Sequence, residues 1–561
     1  VELLTQLRQL SNQFSTEAEQ QKNYLLQQLA GINFTTPKEL MTYHEILLFM
    51  AAYPQSSTLH KTTRAELKRI AQFATAIQNG NNTAKAEQLV RTGIAGTATR
   101  ANFSLTLCRH LLQVHGDAVQ LYSCEGDEVW SKEILRCTLP LAESEQLNDS
   151  SVTLESWLLQ YKKNTGKNAL ALLIALLDSV AVSAAIKEQL FDALKIFVSI
   201  TLNDAVPSRT NLSILNTPVF YHKKELSKKV DALQLIKEPL TEKVALTKAE
   251  KEKLVSAARA SLFLLNRETD TITYTNINTI EQYNTSKGIS IVLFELEPNR
   301  RLAFETYAGY MAFKNGIPVA YGGAWPFGHT AKIGLNIYEP FRGGESAHLF
   351  CQLMRVYHHR FGVKEFTVEP YQMGHGNKEG LLSGAFWFYY RMGFRPVEEK
   401  IAHLAAEEQQ KITTQKGYRT PLNTMKKLVA GNAALIIEPF PDNELTQAHL
   451  SLLSNKVSEY IDRAYKGDRQ KALEKSSALM RLQLNISAQI WKTYSESQQN
   501  SFNQLSLLFV QLSNIRQWKD TEKKQLLQWM LNKGGASEYT CPEILQKHAA
   551  LNTAMIDLLQ S

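Results

Sequence analysis

Asn315-Gly316 stands between two apolar runs, Tyr307–Phe313 and Val319–Trp325, and restricts the fold more than any other feature of the chain. An Asn-Gly step accepts the left-handed backbone of a two-residue hairpin turn, and the flanking runs supply its strands. Ahead of it, Ile289–Leu296 (ISIVLFEL) reads as a buried-strand run. Ile333–Tyr338 and Glu365–Glu369 (EFTVE) read as further strands, and Ser346–Phe361 and Ser383–Met392 carry helical spacing. Strands interleaved with helices in this order predict an α/β layer.

The flanks read differently. In Thr36-Pro37-Lys38-Glu39, Thr36 is placed as an N-cap, Pro37 where no amide is needed, and Glu39 as the capping-box partner. Leu40, Tyr43, His44 and Leu47 then recur at helical spacing. AVQLYS from Ala118 is a short β-like interlude, expected as a hairpin arm, and Ala169–Phe197 reads as two packed helices. Val206–Thr247 is a polar, Lys-rich connector, followed by a helix over Lys248–Leu265. After Val397 the chain returns to helix, with Ile401–Gln410 charged, Ala433–Ile437 a brief strand and Leu445–Leu559 amphipathic. The expected division is a helical region over 1–205, a connector with helices over 206–288, the sheet domain over 289–400 and a helical region over 401–561.

Composition narrows the class. With 44% hydrophobic and 21% charged residues among 561, the chain is neither wholly disordered nor collagen-like. Its net charge of +8 permits an acidic partner without demanding one. Five cysteines without a CxxC pair argue against a disulfide framework or structural zinc and for a reducing compartment. The opening VELLTQLRQLSNQF lacks the pattern of a signal peptide, so a cytoplasmic location is expected. Ala169–Ile186, interrupted by Asp178, reads as a buried helix rather than a membrane span. His358-His359 has no partner at metal-ligand spacing. The pairs Lys223-Lys224 and Lys228-Lys229 read as a solvated face, so no nucleic-acid groove is expected.

Two segments carry chemistry. Ile333–Gly362 runs from a strand through a turn holding Arg342, Gly343 and Gly344 into an amphipathic helix. That arrangement aims free backbone amides and the positive helix end at one spot, a cradle for a pyrophosphate or other anion, where Arg342 adds a fixed charge. The second segment reads Ala385, Phe386, Trp387, Phe388, Tyr389, then Tyr390-Arg391-Met392, then Gly393-Phe394. Here the chain resembles the GNAT superfamily of acyl-CoA-dependent N-acyltransferases. One hallmark of that family is a helix of Ala, apolar, any, apolar, Tyr, three residues and Gly-Phe. The other is a strand followed by Arg/Gln-x-x-Gly-x-Gly/Ala, in which Arg342 and Ala347 fall in place. Glu345 stands where that pattern has its inner glycine, and Leu382 where the helix motif often has Asn, with Asn377 a little upstream.

The resemblance implies a GNAT-like α/β (α+β) domain with a central mixed, twisted sheet, embedded between large helical regions. It implies acetyl-CoA or another acyl-CoA in a V-shaped gap between two splayed parallel strands. The pyrophosphate would rest on Arg342, Gly343, Gly344, Glu345, Ser346 and Ala347. Backbone amides around Leu335, Asn336 and Ile337 would hold the pantetheine and polarise the thioester carbonyl. Tyr389 would protonate the leaving thiolate. Glu369, His375, His329 and Glu305 stand as candidates for the base that deprotonates an acceptor amine. Pro370–Gly380 (PYQMGHGNKEG) would form a lip on the acceptor side. The acceptor itself is left open, and the helical regions are expected to select it or to dock a protein partner. Two other readings stand beside this one: a GNAT-like binding or scaffold protein without turnover, and a transferase drawing on aminoacyl-tRNA or an acyl carrier.

Overall fold

The computed structural model describes residues 2–213, 218–227, 229–441 and 444–561; Lys228, in the second lysine pair, falls outside them. Among the described residues the chain is 57% helical and carries two sheets. It forms two units. One comprises Val1–Leu226, Lys253–Thr273 and Asn315–Pro318; the other comprises Ser227–Glu252, Tyr274–Lys314 and Val319–Ser561.

The first unit opens with helices that include Pro37–Ala52 and Ser57–Gln78. Pro37 takes the first helical position, but the Thr36 hydroxyl donates to Glu39 Oε2 at 2.6 Å instead of capping a backbone amide. A small sheet follows, made of β1 (Ala98–Asn102), β2 (Val119–Cys124) and β3 (Ile196–Thr201) in the order β1-β3-β2. The β-like interlude is thus β2, and it pairs antiparallel with the distant β3 rather than forming a hairpin arm. Every second residue of β3 is buried, because one face packs on a core that includes Leu111, Leu170, Leu173 and Phe191. Ala169–Ile186 divides into the helix Ala169–Ser179 and the start of another at Ala184. Among the described residues no helix is long and apolar enough to cross a membrane.

The second unit holds an eight-stranded sheet of β4 (Glu281–Asn284), β5 (Ile289–Glu295), β6 (Ala308–Lys314), β7 (Ile317–Phe327), β8 (Thr330–Ile337), β9 (Glu365–Val368), β10 (Arg395–Pro396) and β11 (Ala433–Ile436). Their order is β10-β11-β9-β8-β7-β6-β5-β4. The pairs β4–β5, β5–β6, β7–β8, β9–β11 and β10–β11 run antiparallel, and β8–β9 runs parallel. Every residue of β5 and β6 is buried, as their mainly apolar composition favours, and the charged ends Glu295 and Lys314 are buried with partners. The expected hairpin joins β6 to β7 through Asn315 at φ 49° and Gly316 at φ 77°. The sheet begins before residue 289 and ends beyond 400, because β4 forms one edge and β11 lies between β9 and the edge strand β10.

The C-terminal helices pack their own core on the end of β7, where Phe327 joins Leu453, Phe502, Phe509, Trp529 and Met555. A buried ion pair lies in the same region. Arg301 Nη2 is 2.9 Å from Glu295 Oε1, with side chains 1% and 0% exposed. The guanidinium also donates to the carbonyls of Asn532 and Gly535, each at 2.8 Å. Removing one partner of such a pair leaves an uncompensated buried charge. Arg301→Met is therefore expected to destabilise this unit by roughly 3–5 kcal/mol, read as a lower midpoint of chemical denaturation.

Candidate functional site

β8 pairs with β7 along its whole length, from Phe327↔Thr330 to Ala320↔Ile337. Its parallel pairing with β9 covers only Thr330↔Glu365, Ala331↔Phe366 and Lys332↔Thr367. β9 is four residues long, and Pro370 follows it at the start of a short helix. From residue 333 onward β8 therefore presents a free edge. Tyr338 N–H donates to Val319 O at 3.0 Å, so the alternation of an antiparallel ladder turns the amides of 334 and 336 toward β7. The amides of Leu335 and Ile337 are left on the open edge, whereas the amide of Asn336 faces the ladder.

Two side chains lie on that edge. Gln372 Oε1 accepts from Leu335 N–H at 3.4 Å, and a Cβ on Gly334 would meet Gln372 Nε2 at 3.3 Å. Arg342 Nε donates to Ile337 O at 3.2 Å, while its Nη1 bonds Glu379. Both Gln372 and Glu379 belong to the Gly-rich segment after β9.

The turn that follows β8 leads into the helix Ser346–Phe361. Among the described residues the amides of Gly343, Ser346, Ala347 and His348 have no protein acceptor. Such amides at a helix start, reinforced by the helix dipole, favour an anion. Neither Gly343 nor Gly344 has positive φ, and a Cβ at Gly343 would meet nothing within 4 Å. Backbone conformation therefore does not demand glycine at 343, and the space over the turn is open.

Glu345 is buried, at 2% exposure. Its Oε1 lies 2.6 Å from Lys287 Nζ, and its Oε2 lies 3.4 Å from Lys314 Nζ. The carboxylate thus points into the protein, answered by two ammonium groups, and does not oppose an anion on the open side of the turn. Burial pushes Lys314 down to about 8, against the pull of Glu345. Burial also pushes the neighbouring His348 down to about 4, helped by Lys287. Its Nε2 lies 3.1 Å from Ser286 Oγ.

The expected helix over Ser383–Met392 is broken at Gly384, φ 72°, into Lys378–Ser383 and Ala385–Arg391. Asn377 caps the first piece, accepting from Gly380 N–H at 3.1 Å, and Leu382 is exposed. Tyr389 is buried against the rings of Phe350 and Phe394, with centroids 5.7 Å and 5.6 Å away. Burial raises its phenol above the usual tyrosine range. It neighbours Tyr310, whose hydroxyl donates to Gly334 O on β8 at 2.8 Å.

The candidate bases part company. His329 sits in the β7–β8 turn, 3.6 Å from Glu444, at the paired end of β8 and away from the opening. His375 is exposed and makes no side-chain hydrogen bond among the described residues. Glu369 is half-exposed and ion-paired with Lys332 at 3.0 Å. Glu305 is partly buried, and Gln447 donates to its Oε1 at 2.9 Å. Burial raises the Glu305 carboxyl, Lys332 opposes that, and Glu369 adds to it. Glu305, Lys332 and Glu369 therefore share one electrostatic neighbourhood where β8 and β9 separate. Gln372 and Gln447 have no local sequence signal, since each acts through a contact made only in the fold.

Compared with protein families, curated proteins and solved structures, the chain matches none. Among the described residues no group of three or more His, Cys, Asp or Glu is arranged to hold a metal ion.

His348 gives the site a measurable acid response. Its folded pKa lies below the unfolded value, so the folded form resists a proton that the unfolded chain accepts. The associated stability is present above about pH 6.5 and is lost as pH falls toward 4. His348→Gln should lose less stability across that window than the wild type, as measured by thermal melting against pH.

Proposed function

We propose that this chain is a GNAT-like acyltransferase that moves an acyl group, such as acetyl, from CoA to an amine. The observation that carries the reading is the parting of β8 and β9 after three parallel pairs, with the free edge of β8 running into a turn of unpaired amides. An extended amide-bearing chain matches such an edge, and a pyrophosphate matches such a turn. The strand order supports the reading, because the V-shaped gap implied by the resemblance falls between the one parallel pair described. So does Glu345, whose charge is taken up by Lys287 and Lys314.

In this reading acyl-CoA lies along β8, with its pyrophosphate on Gly343, Ser346 and Ala347 and its carbonyl facing the edge donors Leu335 and Ile337. Arg342 must release Glu379 to meet the phosphates. That pair is half-exposed on both sides, and pairs of this kind contribute little. The amine attacks the thioester carbonyl directly, and the thiolate leaves with a proton from Tyr389. Burial raises this phenol and keeps it protonated, the form a proton donor must have.

Calorimetric titration with acetyl-CoA tests the reading, and absence of binding would sink it. Gly343→Asp should leave the melting temperature unchanged, since a side chain there meets open space, and should weaken acetyl-CoA about tenfold or more by like-charge repulsion. Tyr389→Phe should slow release of CoA thiol with little change in affinity.

One observation favours the reading of a binding domain without turnover: Gln372 and Glu379 occupy Leu335 and Arg342 from a single segment. If these contacts are displaceable, Gln372→Ala combined with Glu379→Gln should tighten acetyl-CoA binding. An unchanged or weakened affinity would favour the binding domain.

A further inference from the structure

Glu305 lies in the connection between β5 and β6, and residues far away in the chain hold it. Gln447 Nε2 donates to Glu305 Oε1 at 2.9 Å and to Trp325 O at 2.5 Å. Lys533 Nζ donates to the Glu305 backbone carbonyl at 2.6 Å and is paired with Glu538 at 2.5 Å, with both side chains buried. Two residues on from Glu305, Tyr307 stacks on Trp325 with ring centroids 4.5 Å apart and planes 14° apart. Lys332, a cation that acts on the carboxylate, is the last residue of β8 to pair with β9. Glu305 Oε2 accepts no hydrogen bond among the described residues. One oxygen is therefore clamped and the other is open, beside the point where the cleft begins.

We propose that Glu305 is the general base of the transfer, and that Gln447 and Lys533, from the C-terminal helical region, are its positioning residues. The proposal rests on the acyltransferase reading and assigns to the C-terminal region a part in the chemistry. The step balances without a further reactant. The amine nitrogen forms a bond to the acyl carbon, the C–S bond breaks, the nitrogen's proton passes to Glu305, and the CoA thiolate takes the Tyr389 proton. Both side chains then return to their starting states by exchange with water.

Geometry separates Glu305 from its rivals. Glu369 is 54% exposed and held by Lys332, and His375 has nothing to orient it. The groups that act on Glu305 are Lys332, Gln447 and Lys533, which favour its charged form, and Glu369, which disfavours it. Burial outweighs them and raises its carboxyl, which strengthens it as a base.

Water can replace the unidentified amine in a test. The 561-residue chain is first titrated with acetyl-CoA by calorimetry, and CoA thiol release without added amine is then followed against pH. In this reaction Glu305 takes the proton of the attacking water, and acetate and CoA are the products. Glu305→Gln is expected to slow release roughly 100-fold with acetyl-CoA affinity unchanged. Gln447→Ala removes a hydrogen bond that favours the carboxylate, so it should move the acidic limb of the rate profile to higher pH, which a merely structural role would not do. Glu305→Gln releasing thiol at the wild-type rate would overturn the proposal. So would a wild-type protein that binds acetyl-CoA and releases thiol no faster than buffer. If acetyl-CoA fails to bind at all, the acyltransferase reading itself is lost, and the calorimetry reports that before any rate is measured.

Discussion

The parallel contact between β8 and β9 lasts for three residue pairs, and the character of the second unit follows from that brevity. Pro370, two residues beyond β9, supplies no amide and helps to prevent further pairing. A longer β9 would have paired with Gly334–Ile337 and closed the sheet. Instead β8 keeps its full ladder to β7 on one side and leaves hydrogen-bonding groups open on the other. The turn at Arg342 and the helix after it extend the same opening, so edge amides and helix-start amides belong to one surface.

Behind that surface, charge is handled by burial and pairing. Glu345 would be a misplaced charge if it stood over the turn. Lys287 approaches it at φ +57°, from the short link between β4 and β5, and Lys314 comes from the end of β6. Two ammonium groups against one carboxylate leave the underside of the turn positive while His348 remains neutral. The Glu345 carboxylate is thus accommodated by two lysines from other elements of the sheet.

Local signals in the sequence located what local chemistry decides. The Asn315-Gly316 turn, the mainly apolar runs of β5 and β6 and the start of the helix at Ser346 all appear where their residues predicted them. Tyr389 was visible as a motif, although the break at Gly384 was not, because a left-handed glycine leaves no mark on apolar spacing. The two-residue strand β10 and the four-residue β4 are too short to carry a period. Glu305 could be named as a candidate, but its clamps could not: Gln447 and Lys533 lie 142 and 228 residues away. Asn336 was misjudged because the direction of an amide depends on which neighbour a strand pairs with. Residue type says nothing about that.

The carboxamide of Gln372 has a consequence apart from any ligand. An unpaired β-edge is a template for another strand, and proteins that leave one exposed risk joining edge to edge with a second chain. Gln372 places a peptide-like amide beside Gly334 and Leu335, imitating with one side chain the strand that β9 does not supply. One donor of the edge is thereby occupied without the opening being sealed, because a single side-chain hydrogen bond can be given up far more readily than a backbone ladder.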